Sequence, residues 1–177
     1  MIALKKIDGG NKESSKFFGE AVFPESWLTG DEFSEEEVFF CQINLKEISP
    51  LDKSGLLPKE GYLHFYFDYS SNKAAGKVRY FAEGDASTCF NEENDLTSYD
   101  IESECYLGFF ETERAENGLF LRHDKLYKNE VCLLCFTPNS FEDVDFLCDV
   151  KGKVCFVIDE RDLKKRAFDK AYVVELT

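Results

Sequence analysis

A mainly β (β-rich α+β) fold, with antiparallel, roll-like sheets and few short helices, is predicted by three observations on this sequence. The stretch from Val38 to Phe81 carries the strongest strand signal, because Leu63, Phe65 and Phe67 alternate with Tyr62, His64 and Tyr66. Aromatic residues are abundant, with 18 Phe and 8 Tyr, and such side chains pack well on a pleated surface. The pattern of residues 38–81 also returns at 131–176: VCLLCF echoes VFFCQI, GKVCFVI echoes GYLHFYF, and KAYVVEL echoes KVRYF. This echo predicts two like β units about a pseudo-twofold axis, joined by an acidic linker over 83–104, within a single domain of residues 1–177.

Taken in order, residues 1–16 read as a polar lead-in that frays, and SKFFGEAVFPESW as an irregular packed segment broken by Gly19 and Pro24. Ser34 with Glu35 to Glu37 suits the start of a short helical turn. Phe39 to Ile43 is a buried strand, after which Asn44 caps the turn LKEI and Pro50 ends it. Tyr62 to Tyr69 and Lys77 to Ala82 form a hairpin across SSNKAAG. Residues 83–104 are polar and acidic, the pattern of a long loop. An apolar run around Gly108 follows, then ENGLFLRHDKLYKNE, which fits a hairpin or a short helix equally well. Val131 to Phe136 and Lys153 to Ile158 are strands, the second entered through Gly152. Asp159 caps the helix ERDLKKR, whose basic residues gather at its negative end, and Ala171 to Leu176 is the last strand.

Thirty-five acidic residues against 21 basic ones give a net charge of −14, which repels phosphate and argues against nucleic acid or an anionic membrane as partner. The seven cysteines sit mostly in apolar runs, where Cys behaves as a small hydrophobe. MIALKKIDGG has no signal-peptide core, and no apolar run approaches membrane-spanning length. These features predict a cytoplasmic protein with reduced thiols.

The segments SKFFGEAVFPESW, FFCQINLKEI, LPKEGYLHFYFD and VCLLCF…GKVCFVIDERDLKKRAFDKAYVV together resemble the YwqG-like family of bacterial proteins of unknown function. The positions that carry the resemblance are Gln42 to Leu45, Leu57 to Phe67, Gly152 to Ile158, Asp162 to Leu163 and Phe168, with Leu107-Gly108-Phe109 as a remnant of a further motif. It spans roughly residues 15–176 and rests on the order of the motifs rather than on any single one. Relative to usual members the chain is short, and Phe146-Leu147-Cys148-Asp149 keeps only the acid of the family's W-G-D. The resemblance implies a mainly β, roll-like domain and no reaction.

The residues themselves carry little chemistry. Cys132-x-x-Cys135 has zinc spacing, but no second pair and no adjacent His completes it, and strand positions three apart point to opposite faces. The expectation is no metal and no cofactor. His64, on the face of Tyr62 and Tyr66, reads as a half-exposed strand histidine, with Asp68 as its partner if it does acid–base work. Cys89 and Cys105, in the polar middle, are the better exposed thiols, although acidic neighbours disfavour their thiolates. NEEND and EDVD lack the glycine and spacing of a calcium loop.

A non-catalytic, protein-binding module is therefore the first expectation, in its sharper form an immunity-type inhibitor of a basic partner. A small-ligand pocket protein is the alternative, and a hydrolase the third choice. The expected contact residues are Glu92, Glu93, Asp95 and Tyr99 in the acidic middle, Tyr106 beside it, and His64.

Overall fold

Alternating and doubled apolar residues in this chain become strands that join edge to edge. The computed structural model describes residues 1–28, 33, 37–68, 75–82, 84, 86–89, 104–121, 123–138 and 152–176. In chain order the strands are β1 (Ile2–Lys6), β2 (Lys16–Phe17), β3 (Val22–Pro24), β4 (Glu37–Asn44), β5 (Tyr62–Asp68) and β6 (Ala75–Phe81). They continue with β7 (Ala86–Cys89), β8 (Cys105–Glu111), β9 (Gly118–Leu119), β10 (Glu130–Phe136), β11 (Lys153–Asp159) and β12 (Tyr172–Leu176). Ten of them form one sheet in the order β12-β11-β10-β9-β1-β8-β2-β4-β5-β6, while β3 and β7 pair separately. Every pairing is antiparallel. The outer strands β6 and β12 come back together, so the sheet is nearly closed into a barrel. A Cβ on Gly76 of β6 would lie 2.9 Å from Val173 of β12 and 2.4 Å from the Tyr66 carbonyl. Glycine is what allows that close approach.

The mainly β class is as the sequence predicts. Both helical caps are also where expected. The Asn44 side chain accepts from the Lys46 amide at the start of α1 (Leu45–Ile48), and Asp159 accepts from the Arg161 amide at the start of α2 (Glu160–Lys164). Each satisfies an amide that the helix itself leaves unbonded.

Residues 38–81 and 131–176 both form three-stranded antiparallel meanders, β4-β5-β6 and β10-β11-β12. Each first strand carries a β-bulge at the same step. The register shifts between Phe39 and Cys41 in β4, and between Cys132 and Leu134 in β10. Gln42 then lies opposite His64, and Cys135 opposite Cys155. Gly61 and Gly152, which lead into the two middle strands, have φ of +96° and +124°, values that favour glycine. The helices do not correspond, since α1 follows the first strand of its unit and α2 the second.

Bulging puts two successive residues of one strand on the same side. Phe40 and Cys41, and likewise Leu133 and Leu134, all belong to the main core. There Phe40 stacks on Phe136 at 4.7 Å and meets the tilted ring of Phe17 at 4.7 Å, while Phe67 packs 5.3 Å from Phe156.

Three expectations need correction. Residues 1–16 do not begin as a fraying lead-in: Ile2–Lys6 is a strand held between β9 and β8, with Ile2, Ala3 and Leu4 buried. Three apolar residues are too few to show periodicity. The irregular segment around Phe17 contains β2 and β3, and the acidic linker contains β7, paired with β3. The expected helical turn at Ser34 to Glu36 and most of the linker lie outside the described residues, whereas Glu37 is a buried strand residue.

Phe40→Ala removes the ring at the centre of this core. We expect a loss of about 3–5 kcal/mol in urea unfolding. A loss below about 1 kcal/mol would show that the bulged residue is not central.

Candidate functional site

The outer face of the first unit is polar inside and covered by the segment from Ala21 to Trp27. His64 is fully buried, not half-exposed, because Phe39, Phe81 and Trp27 surround its ring at 5.4, 5.1 and 5.9 Å. Its Nε2 lies 3.2 Å from Gln42 Oε1 and its Nδ1 3.0 Å from the Tyr66 hydroxyl. Gln42 Nε2 donates to the carbonyls of Lys12 and Ser14, so Oε1 is left as acceptor, and it takes the Val22 amide at 2.8 Å as well. Nε2 of His64 must then carry the proton, and Nδ1 accepts from Tyr66. Asp68 is not its partner. Burial first, and then the nearby Arg79 charge, push the His64 pKa down to about 3. A neutral imidazole with both nitrogens occupied is a cross-link, and it offers no free position for acid–base work. Arg79 stacks over Phe33 and Tyr66 at 4.6 and 4.7 Å and pairs with Glu37 at 2.7 Å. Lys77 closes on the same carboxylate.

The equivalent face of the second unit holds thiols. Cys132, Cys135 and Cys155 are free and buried, and their sulfurs all lie within 4.8 Å of one another. Cys132 and Cys135 do not diverge as strand positions three apart otherwise would, because of the bulge. Leu133 and Leu134 both turn to the main core, so the three-residue step ends on the starting face. Leu121, Val157 and Leu176 pack around the thiols. Of the three, Cys135 gives up its proton most readily, because the thiols of Cys132 and Cys155 donate to its sulfur. Cys132 is pushed up, first by its hydrogen bond to Cys135.

Beside the thiols opens a cleft of about 740 Å³, reached by Cys132 and His123. Its floor is apolar, with Leu51, Phe120, Leu121, Leu126 and Val131. Around it stand the carboxylates of Asp52, Glu111, Asp124, Glu130 and Glu160, against the ammonium groups of Lys53 and Lys128 and the amine of Met1. Lys53 is paired with Glu111 at 2.7 Å.

Of the residues expected to make contacts, Glu92, Glu93, Asp95 and Tyr99 lie outside the described residues. Tyr106 is half-buried in β8, its ring 5.3 Å from Lys16 Nζ and its hydroxyl pushed up to about 12, first by its hydrogen bond to Glu104. Lys16, fully buried, pairs with Glu104 at 2.9 Å. Cys105 is buried in β8 rather than exposed. The cleft and the thiol cluster were missed by sequence reasoning. Two adjacent apolar residues at matching places in the echo, Phe40-Cys41 and Leu133-Leu134, are the signal that reveals the bulges.

Among the described residues no helix is long and apolar enough to cross a membrane. A family model described as a domain of unknown function (DUF1963) matches residues 15–113, the segment that runs through β2 to β8. No curated protein matches the chain.

The buried imidazole gives a pH signature. Unfolded His64 takes a proton near pH 6.5, but the folded protein resists until about pH 3. The unfolded state binds more protons in that window, so stability falls as pH drops from about 6.5 towards 3. Between about pH 7 and about pH 5.5 the wild type should lose roughly 1 kcal/mol more than His64→Gln in urea unfolding. Identical pH dependence in the two proteins would refute the buried neutral imidazole.

Proposed function

The chain belongs to the DUF1963 family of domains of unknown function, and from that premise we propose that it is a non-catalytic protein-binding module for a basic partner. The observation that carries this reading is the cleft, where five carboxylates outnumber two lysines and one amine around an apolar floor. Apolar surface supplies affinity, and the excess of negative charge speeds encounter with a cationic surface and selects against an anionic one. A segment bearing Lys or Arg beside one or two large apolar side chains has the matching chemistry. An immunity-type inhibitor that covers a basic active site is the sharper form of this proposal. The acidic surplus of the whole chain, −14, acts in the same direction at longer range.

The second reading, a small-ligand pocket protein, is favoured by the cleft's volume of about 740 Å³, inside the range of roughly 300–1,000 Å³ usual for such pockets. The cytoplasmic setting belongs to the same proposal and is supported by the free buried thiols. So does the division into one domain of two like units, supported by their matching registers and bulges. The narrower YwqG-like assignment is supported by Gly152 to Ile158 and Asp162 to Leu163, motif positions beyond the matched segment.

A labelled peptide of alternating Lys and Leu, with a Glu and Leu peptide as control, tests the proposal by fluorescence anisotropy. The wild type should bind only the basic peptide, and more weakly from about 0.1 M to about 1 M salt. Asp124→Asn, Glu130→Gln and Glu160→Gln together should weaken binding about tenfold. Equal binding of both peptides, or an unchanged triple variant, would remove the basic partner. A thermal shift with neutral metabolites but not with the basic peptide would favour the pocket reading instead.

A further inference from the structure

We propose that Cys132, Cys135 and Cys155 form a three-thiolate site for a thiophilic d10 metal ion, zinc(II) or copper(I). The inference is independent of the partner reading, because it rests on the three sulfurs and not on the cleft's charge.

Geometry comes first. The sulfurs lie within 4.8 Å of one another on two adjacent strands. Zinc–thiolate bonds of about 2.3 Å in a tetrahedron set the sulfurs about 3.8 Å apart, so binding asks for a contraction of about 1 Å or less. The bulge is the device that makes the site. Without it Cys132 would face the main core, and only the Cys135–Cys155 pair would remain. Bulges recur next to sites where a strand must re-aim a side chain.

Chemistry comes second. Three soft donors in an apolar shell select zinc or copper(I) over the hard cations magnesium and calcium. On binding, each sulfur–hydrogen bond breaks, its electron pair becomes the metal–sulfur bond, and the proton leaves to the buffer. Lys153 lies close enough to Cys135 to offset part of the resulting negative charge, and His123 is also near that sulfur. Three protein ligands leave a fourth position, as in zinc sites that exchange a ligand. Cys132 lines the cleft, so an ion has a route to the sulfurs. A disulfide would engage only two of three mutually close thiols. The trio fits a metal better.

The full chain, freed of metal with a chelator and kept reduced, is titrated anaerobically with Co²⁺ as the spectroscopic stand-in for zinc. A second titration uses Cu⁺ against a chromophoric chelator. We expect one ion per chain, a sulfur-to-metal charge-transfer band whose intensity reports three thiolates, and protection of these cysteines from alkylation after denaturation. Cys155→Ser should lower affinity by more than the roughly 10–100-fold cost of losing an outer-shell partner. Cys41→Ser, at a cysteine on the opposite face of the sheet, should bind as the wild type does. If Cys155→Ser does not fold, the band intensity of the wild type still decides the ligand number. The proposal is overturned by the absence of a charge-transfer band with both ions, by unchanged affinity in Cys155→Ser, or by a Cys135–Cys155 disulfide forming in place of metal uptake.

Discussion

The structure depends on one backbone constraint, the β-bulge at the middle of β4 and again at the middle of β10. A regular strand would alternate its side chains strictly and leave no way to aim Phe40 and Cys41, or Leu133 and Leu134, into the same core. The bulge also adds twist and bends its strand, which helps a sheet of ten strands to curl until β6 meets β12. With β6 packed against β12, the two end strands of the sheet shield each other from other chains. The core that results is largely aromatic: Phe17, Phe40, Phe67, Phe136 and Phe156 contact one another across both units.

The same constraint determines what the other face of each unit holds. In the first unit the pair after the bulge is Gln42 and His64, and in the second it is Cys135 and Cys155. Burying an imidazole or an amide is costly unless every polar atom is bonded. The first site meets that condition with Tyr66, Val22, Lys12 and Ser14. It is closed chemically. Thiols are weaker donors and acceptors, so the second site is buried at little cost while its sulfurs keep their capacity to ligate. One unit thus uses its outer face for cohesion, and the other keeps reactive atoms beside an open cleft.

Much of this fold was legible in the sequence because it rests on local signals. Period-two alternation placed β5, and Asn44 and Asp159 announced both helices through their short acceptor side chains. The echo between 38–81 and 131–176 placed the strands of both units. What escaped is non-local. Ile2 to Leu4 look like a tail until β8 and β9 arrive to flank them, more than 100 residues later. His64 reads as half-exposed until residues from Ala21 to Trp27 cover it. The thiol cluster escaped for a subtler reason. Counting residues assumes an unbroken period, and a single bulge reverses the face on which every later side chain falls. The cleft is assembled from five separate stretches of chain and has no sequence signature of its own.

The bulge in β10 turns Cys132 to the side of Cys135 and Cys155. Nuclear Overhauser contacts in protein labelled at the cysteine Cβ positions read this directly, without variants and without metal. We expect contacts among the β-protons of Cys132, Cys135 and Cys155, and contacts from Cys132 to Val157 rather than to the core rings. Contacts from Cys132 to the rings of Phe136 or Phe156, with none to Cys155, would mean a regular strand and contradict the bulge.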